Sequence, residues 1–523
     1  MSHDDAVGRR TVEFTVNGEV VSVPADGSLL DALRESLGLH GVKDGCSPQG
    51  QCGCCTVWVD GQPRVSCVTP VGRVRGRSVI TIEGLGDGAA WADTFAEQGA
   101  TQCGFCTPGI IMRAAALAPD KRASTAAVEQ SLLAHQCRCT GWQSIVTAVQ
   151  AGPASSAAGA SGSDDAASRR ATIEGRVPQS VGRDVALGNG GFADDTAPAD
   201  ALVAVRTADG GWVVGESLHD ARTRSGKVQG RRTSAPLVWP IEVPDGDWVR
   251  TLQTTWVEPG YLEPDASWCE PGGEPMSSHG NGGAFGGKES GELGAVARRL
   301  ADVHGRTVRV LSTREDVVRL GPKRPPIAVG VRADGSGVAV VARTPGIVEA
   351  IRAVAPGIEV DEVDVVGPPT SSALRAAGWA EAAVVLASLG DDGPCVVTSP
   401  DGAVATASID DDGRIVVTVA CGPVLDARIL ESYCVGAAHM GLGWVTSEGI
   451  SVDADGEVHD LTMRSFGILR AVDTPPIDVT ILEPGDAPDG PSEPVNGSDA
   501  VFAAVAAAAW RRTGWSPRWP SGG

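Results

Sequence analysis

The sequence predicts an α+β multidomain protein on three observations. At 523 residues the chain is too long for one ordinary domain. Its N-terminal part alternates apolar and polar residues around two tight turns, with one short amphipathic helix between them. A run of small and acidic residues then divides this part from a longer remainder of Val-rich strands and Ala-rich helices.

In chain order, residues 11 to 23, TVEFTVNGEVVSV, turn at Asn17-Gly18 and read as a hairpin, because Asn-Gly accepts the left-handed backbone of a two-residue turn. Ser28 caps a short helix with Leu29, Leu33 and Leu37 on one face, and Gly38 ends it. A cysteine-bearing loop follows, then a second hairpin turning at Asp60-Gly61. Strands crossed by one helix suggest a small β-grasp domain over residues 1–87. Residues 88–152 read as helical, with Thr107-Pro108 a good helix start ahead of the Ala-rich AAALA. Residues 153–168, PASSAAGASGSDDAAS, carry only small or acidic side chains besides proline. They cannot bury a core, and a flexible linker is expected over 153–178.

The formal net charge of −22 argues against nucleic acid and anionic membrane surfaces as partners. The N-terminus, MSHDDAVGRR, has no apolar signal region, and no run of eighteen apolar residues occurs, so a cytoplasmic protein is expected.

Thirteen cysteines are present, nine of them before residue 140. Thiols clustered this way in a cytosolic chain point to metal ligation rather than disulfides. Cys269, Cys395, Cys421 and Cys434 lie far apart and read as ordinary buried thiols. Cys46-x5-Cys52-x2-Cys55, with Cys67 further on, fits a plant-type [2Fe–2S] loop whose first gap is one residue longer than usual. Gly50 and Gly53 let that loop curl and aim its N–H groups at sulfur. A zinc site would read as two separated Cys-x2-Cys pairs, so iron is favoured. Cys54 is a spare, because a curled loop cannot point Cys54 and Cys55 at the same iron. Cys103-x2-Cys106 and Cys137-x-Cys139 form a second set able to hold another two-iron cluster.

Together these motifs, QCGFCTPG and QCRCTGWQ among them, closely resemble the iron–sulfur part of the xanthine dehydrogenase/aldehyde oxidase family of molybdenum hydroxylases. The resemblance covers nearly all of residues 11 to 150. It implies a β-grasp ferredoxin domain, then a helical-bundle [2Fe–2S] domain. It also implies that Gln102 and Cys139 lie against the pterin of a molybdenum–molybdopterin cofactor. VGRDV and GFADD (181 to 195) resemble the start of the family's hammerhead domain, expected over 179–245. YLEP (261–264), GNGGAFGGKE (280–289) and STRED (312–316) follow in family order. By resemblance Gly282, Gly283 and Gly286 let the backbone approach the cofactor and Phe285 packs beside the metal, although a lone Gly-rich loop is also simply a turn. SALRAAGWAEA (372–382) resembles the metal-side arginine loop and puts Arg375 near substrate; a surface helix-start arginine is the other reading. SEPVNGSDAVFAAVAAA aligns with the segment bearing the family's catalytic glutamate, which places Glu493 there; a solvated loop carboxylate beside Pro494 is the other reading.

Between Arg375 and IVVTVACGPV, where the family has a long second molybdenum domain, only residues 376–414 stand. An abbreviated α/β molybdopterin-binding part is therefore expected over 246–523. No flavin domain lies between the clusters and the hammerhead-like region. The resemblance implies an oxidoreductase that hydroxylates a small aldehyde or a purine-like N-heterocycle. Its electrons would pass through two [2Fe–2S] clusters to a separate flavoprotein or other acceptor, in a homodimer or heteromer. The alternative is an iron–sulfur electron-transfer subunit with a vestigial molybdenum part and catalysis in a partner chain.

Overall fold

A computed structural model describes residues 10–154, 165–226, 235–277, 283–288, 292–487 and 490–522. The N-terminal sheet has five strands: β1 (Thr11–Val16), β2 (Glu19–Pro24), β3 (Thr56–Val59), β4 (Gln62–Val65) and β5 (Ser78–Ile80). They lie in the order β2-β1-β5-β3-β4. β1 and β2 pair antiparallel with Val12 opposite Val23, while β1 runs parallel to β5. Both expected turns form, and Asn17 and Asp60 take positive φ beside Gly18 and Gly61. The alternation buries Val12, Phe14 and Val16 on one face. Ser28 closes a capping box with Asp31: the Asp31 N–H donates to the Ser28 hydroxyl at 3.1 Å, and the Ser28 N–H to the Asp31 carboxylate at 2.9 Å. The helix it starts runs on as a wider π turn over Ala32–Ser36.

Helices Gly88–Glu97, Thr107–Ala115, Thr125–Ser131 and Gln143–Ala151 follow, with Pro108 in the first turn of the second. The thiol-bearing sheet and these helices share one apolar core. Ile450, Met463 and Phe466, from far along the chain, sit in that same core.

The expectation of a flexible linker over 153–178 is corrected for its second half; residues 155–164 lie outside the described residues. Asp165–Gly175 is a helix packed into the C-terminal core. Arg170 and Glu174 are fully buried on it and pair at 3.0 Å. Arg170 also donates to the carbonyls of Pro423, Val424 and Val495. These partners are distant in sequence, so the local composition gave no sign of them.

Three more sheets follow. One orders Met276–Ser277, Ala266–Cys269, Val308–Leu311, Leu202–Arg206 and Trp212–Gly215. A second joins Ile358–Val363, Gly337–Ala342, Ile327–Val331 and Arg250–Gln253, and a third joins Cys395–Thr398, Val404–Ile409, Ile415–Ala420 and Ile477–Ile481. The long helix Ala427–Thr446 packs against Ser498–Arg512, and Ser498–Arg512 lies on the last of these sheets. Buried ion pairs tie the first sheet's helix to the middle of the chain: Arg34 holds Asp194 at 2.6 Å and Asp195 at 2.8 Å, and Arg309 holds Asp194 at 3.0 Å. No described helix is long and apolar enough to cross a membrane.

Candidate functional site

The loop after the first helix brings its thiols together. Cys46 lies against Cys52 and Cys67, and Cys67 against Cys55; all four are buried. The backbone N–H groups of Gln49 and Gln51 point at Cys46 Sγ, at 3.1 and 3.5 Å. Hydrogen bonding from Cys52, then Cys67, with help from those amides, holds the Cys46 thiol well below the ordinary thiol range. Cys52 and Cys67 are pushed up as the partners that keep the proton. Cys54 is buried against Cys52 and also faces Cys103 of the second set.

The second set closes in the same way. Cys139 Sγ lies 3.6 Å from Cys103 Sγ, and Cys137 touches both Cys106 and Cys139. Contact with Cys106, then Cys139, lowers the Cys137 thiol. Among the described residues no three His, Cys, Asp or Glu side chains converge on one ion position. A [2Fe–2S] cluster instead spreads four thiolates over two irons. Eight buried thiols in two groups of four, with N–H groups aimed at sulfur, fit two such clusters.

Gln102 stands beside the second set. Its Nε2 donates to the Cys139 and Ser432 carbonyls, each at 3.1 Å, while its Oε1 is buried and has no partner among the described residues. Helix Ala427–Thr446 approaches so closely here that a Cβ at Gly436 would sit 1.7 Å from the Cys139 carbonyl oxygen. Gly283 lies against Cys139 Sγ from the other side; Gly282 is outside the described residues. Phe285 is buried, and its ring meets Tyr433 edge-on. Gly286 presses on the next loop, where a Cβ would sit 1.8 Å from the Ala373 carbonyl oxygen.

That contact sets Arg375 over Phe285, with the guanidinium 3.8 Å from the ring centre. Arg375 also lies 3.0 Å from Asp499 and donates to the Ser498 hydroxyl at 3.0 Å. Burial lowers its pKa, and Asp499 opposes the shift. Arg138, Glu258, Phe285, Arg324, Arg375 and Glu448 line one cleft. Arg138 grips Glu448 with two bonds of 2.6 and 2.7 Å. The buried Gln102 oxygen and the glycines around Cys139 fit a polar pterin group.

Glu493 is not brought there. Its side chain is exposed, and it is absent from the residues that line the cleft. The buried carboxylate at the following helix start is Glu174, which accepts from the Gly497 and Ser498 N–H groups at 3.1 and 2.9 Å. Among the cleft's other residues, Arg138 had a sequence signal as a basic residue between two thiols. Glu258, Arg324 and Glu448 had none, because their roles depend on long-range partners.

Comparison with known proteins matches three family models: 2Fe-2S iron-sulfur cluster binding domain over 14–72, [2Fe-2S] binding domain over 81–150, and Molybdopterin cofactor-binding domain over 394–475. The chain is 40% identical to the nicotinate dehydrogenase small FeS subunit of Eubacterium barkeri, over 27% of its own length and 92% of that protein's. It is 37% identical to the xanthine dehydrogenase iron-sulfur-binding subunit of Escherichia coli O157:H7, over 28% and 96%. In fold it is similar to the aldehyde oxidoreductase of Desulfovibrio desulfuricans, at a TM-score of 0.69 and 15% identity, covering 95% of this chain and 97% of that one. With two cluster-binding domains, a molybdopterin-binding domain and relatives matched over nearly their whole length, the chain belongs to the xanthine dehydrogenase/aldehyde oxidase family of molybdenum hydroxylases.

Proposed function

We propose that the chain is a molybdenum-containing oxidoreductase that hydroxylates an aldehyde or a purine-like N-heterocycle. Its electrons pass through two [2Fe–2S] clusters to an external acceptor. The observation that carries this is the position of Cys139, which belongs to the second thiol set and also touches Gln102 and the glycines bordering the cleft. When bound, the molybdenum cofactor supplies two-electron oxidation at carbon and the clusters supply one-electron carriage.

The protein's own part is to hold and orient. Cys46, Cys52, Cys55 and Cys67 ligate one cluster, and Cys103, Cys106, Cys137 and Cys139 the other. Gln102 offers its free Oε1 to the pterin, and Gly283 and Gly286 leave room for it beside Phe285. Arg375 orients the polar edge of the substrate against the Phe285 ring. Both oxygens of Glu448 are committed to Arg138. Glu258 Oε2 is paired with the buried Lys323 ammonium at 3.0 Å.

The domain assignment goes with this reading: β-grasp over 1–87, helical bundle over 88–152, hammerhead-like over 179–245 and a shortened α/β molybdopterin-binding part over 246–523. So does a separate flavoprotein or other acceptor, in a homodimer or heteromer. The test is metal and pterin analysis of protein made in a cofactor-competent host, with a panel of aldehydes and purines scored for reduction of the iron. Full iron with neither molybdenum nor pterin in any native complex would overturn it in favour of an electron-transfer subunit.

A further inference from the structure

We propose that Arg314 is the buried counter-charge of the first iron–sulfur cluster and raises that cluster's reduction potential; the proposal rests on the cluster assignment above. Several basic side chains reach the loop that carries Cys46. Lys43 pairs with Asp195. Arg222 holds Asp44 at 2.8 Å and the Ser47 hydroxyl at 2.9 Å. Arg464 touches Gln51 but is exposed, where water screens its charge. Arg314 differs from all of these. It is fully buried, and among the described residues it makes no ion pair. One Nη donates to the carbonyls of Gly45 and Leu262, at 2.7 and 2.8 Å. Its Nε and other Nη find no acceptor among the described residues.

An unpaired buried guanidinium is costly unless a negative charge lies near. The missing charge is one residue away. Gly45 adjoins Cys46, and a Cβ there would lie 3.1 Å from Cys52 Sγ and 3.2 Å from both Cys54 Sγ and the Leu262 carbonyl oxygen. Arg314 thus reaches the thiolate set through Gly45. Four thiolates, two ferric irons and the cluster's two sulfides together carry net negative charge, and one-electron reduction adds another. A fixed positive charge at low dielectric therefore favours the reduced state. The second set lacks this bias, because Arg138, between its thiols, is neutralised by Glu448. The two sites are electrostatically unequal by construction of the fold.

The test is an anaerobic redox titration of the intact iron-loaded chain, with the two clusters followed separately by EPR. Arg314→Gln keeps a donor for the carbonyls and removes the charge. One cluster's one-electron reduction constant should fall ten-fold or more, about 59 mV, while the other cluster, the internal reference, stays fixed. Arg314→Lys should titrate near the wild type. Arg314→Met, which fills similar space without charge, repeats the test if the Gln variant loses iron. Unshifted midpoints in a full-iron Gln or Met variant would overturn the proposal. So would iron loss in both, which would make Arg314 a folding residue only. Wild-type protein without two cluster signals would instead refute the cluster assignment.

Discussion

Arg138 and Glu448 give the sharpest stability prediction. The two side chains are 310 positions apart, almost wholly buried, and joined by bonds of 2.6 and 2.7 Å; Arg138 also donates to the Pro259 carbonyl at 2.8 Å. Glu448→Leu removes both carboxylate acceptors and leaves a buried guanidinium bonded to the Pro259 carbonyl but without its counter-charge. Stranding one member of a buried pair costs roughly 3–5 kcal/mol, a large share of a typical domain's roughly 5–15 kcal/mol. Arg138→Met should cost a similar amount by stranding Glu448. Replacing both with apolar residues removes the uncompensated charge, so the double variant should recover to within about 1–2 kcal/mol of the wild type. The assay compares the four proteins in urea, following loss of the clusters' visible absorbance. Both singles should bleach early, with the double close to the wild type. A double variant as unstable as the two singles combined would show that the pair is not coupled and that burial alone sets the cost.

Four further outcomes are expected. Cys52→Ser should abolish one of two reduced EPR signals, while Cys54→Ser keeps both; loss of a cluster from the Cys54 variant alone would reassign the ligand. Gly436→Ala should drive a Cβ into the Cys139 carbonyl, and iron analysis should find the second cluster depleted. Burial would raise Asp194, but Arg309 and Arg34 overcome it and pull its pKa from 3.8 to about 2. Its contribution is therefore complete above pH 3.8 and is lost as pH falls toward 2; it amounts to about 2 kcal/mol, and Asp194→Asn should lack that part of the acid dependence in denaturation midpoints. Glu493→Gln should leave substrate-driven reduction of the clusters unchanged, because Glu493 is exposed. A fall of roughly 10²–10⁴-fold would restore it as the general base.

Local chemistry was legible in the sequence, and distant pairing was not. Asn17-Gly18, Asp60-Gly61 and the Ser28 cap announce their own geometry within a few residues, and each stands where expected. The thiol spacings likewise identified two sets of four that close on one another. The helix Asp165–Gly175 was hidden, because nothing near it in sequence shows that Arg170 will meet the carbonyls of Pro423, Val424 and Val495. Glu493, set beside the metal by resemblance, stands exposed for a related reason. Asn496 fixes the loop by bonding the Ile173 and Glu174 carbonyls, and Glu174 takes the helix start that alignment had set beside Glu493. Arg375 lines the cleft over Phe285, next to the close contact of Gly286 with Ala373.

Ile450, Met463 and Phe466 lie in the core of the thiol-bearing domains, although they follow the long helix Ala427–Thr446. Were such a face shared by two polypeptides, dilution below its dissociation constant would part them and cut the route from cleft to clusters. Here one backbone holds both sides, and the contact forms at an effective concentration set by the tether rather than by how much protein is present. Electron delivery from the cleft should therefore obey first-order kinetics at any dilution, with no lag for assembly.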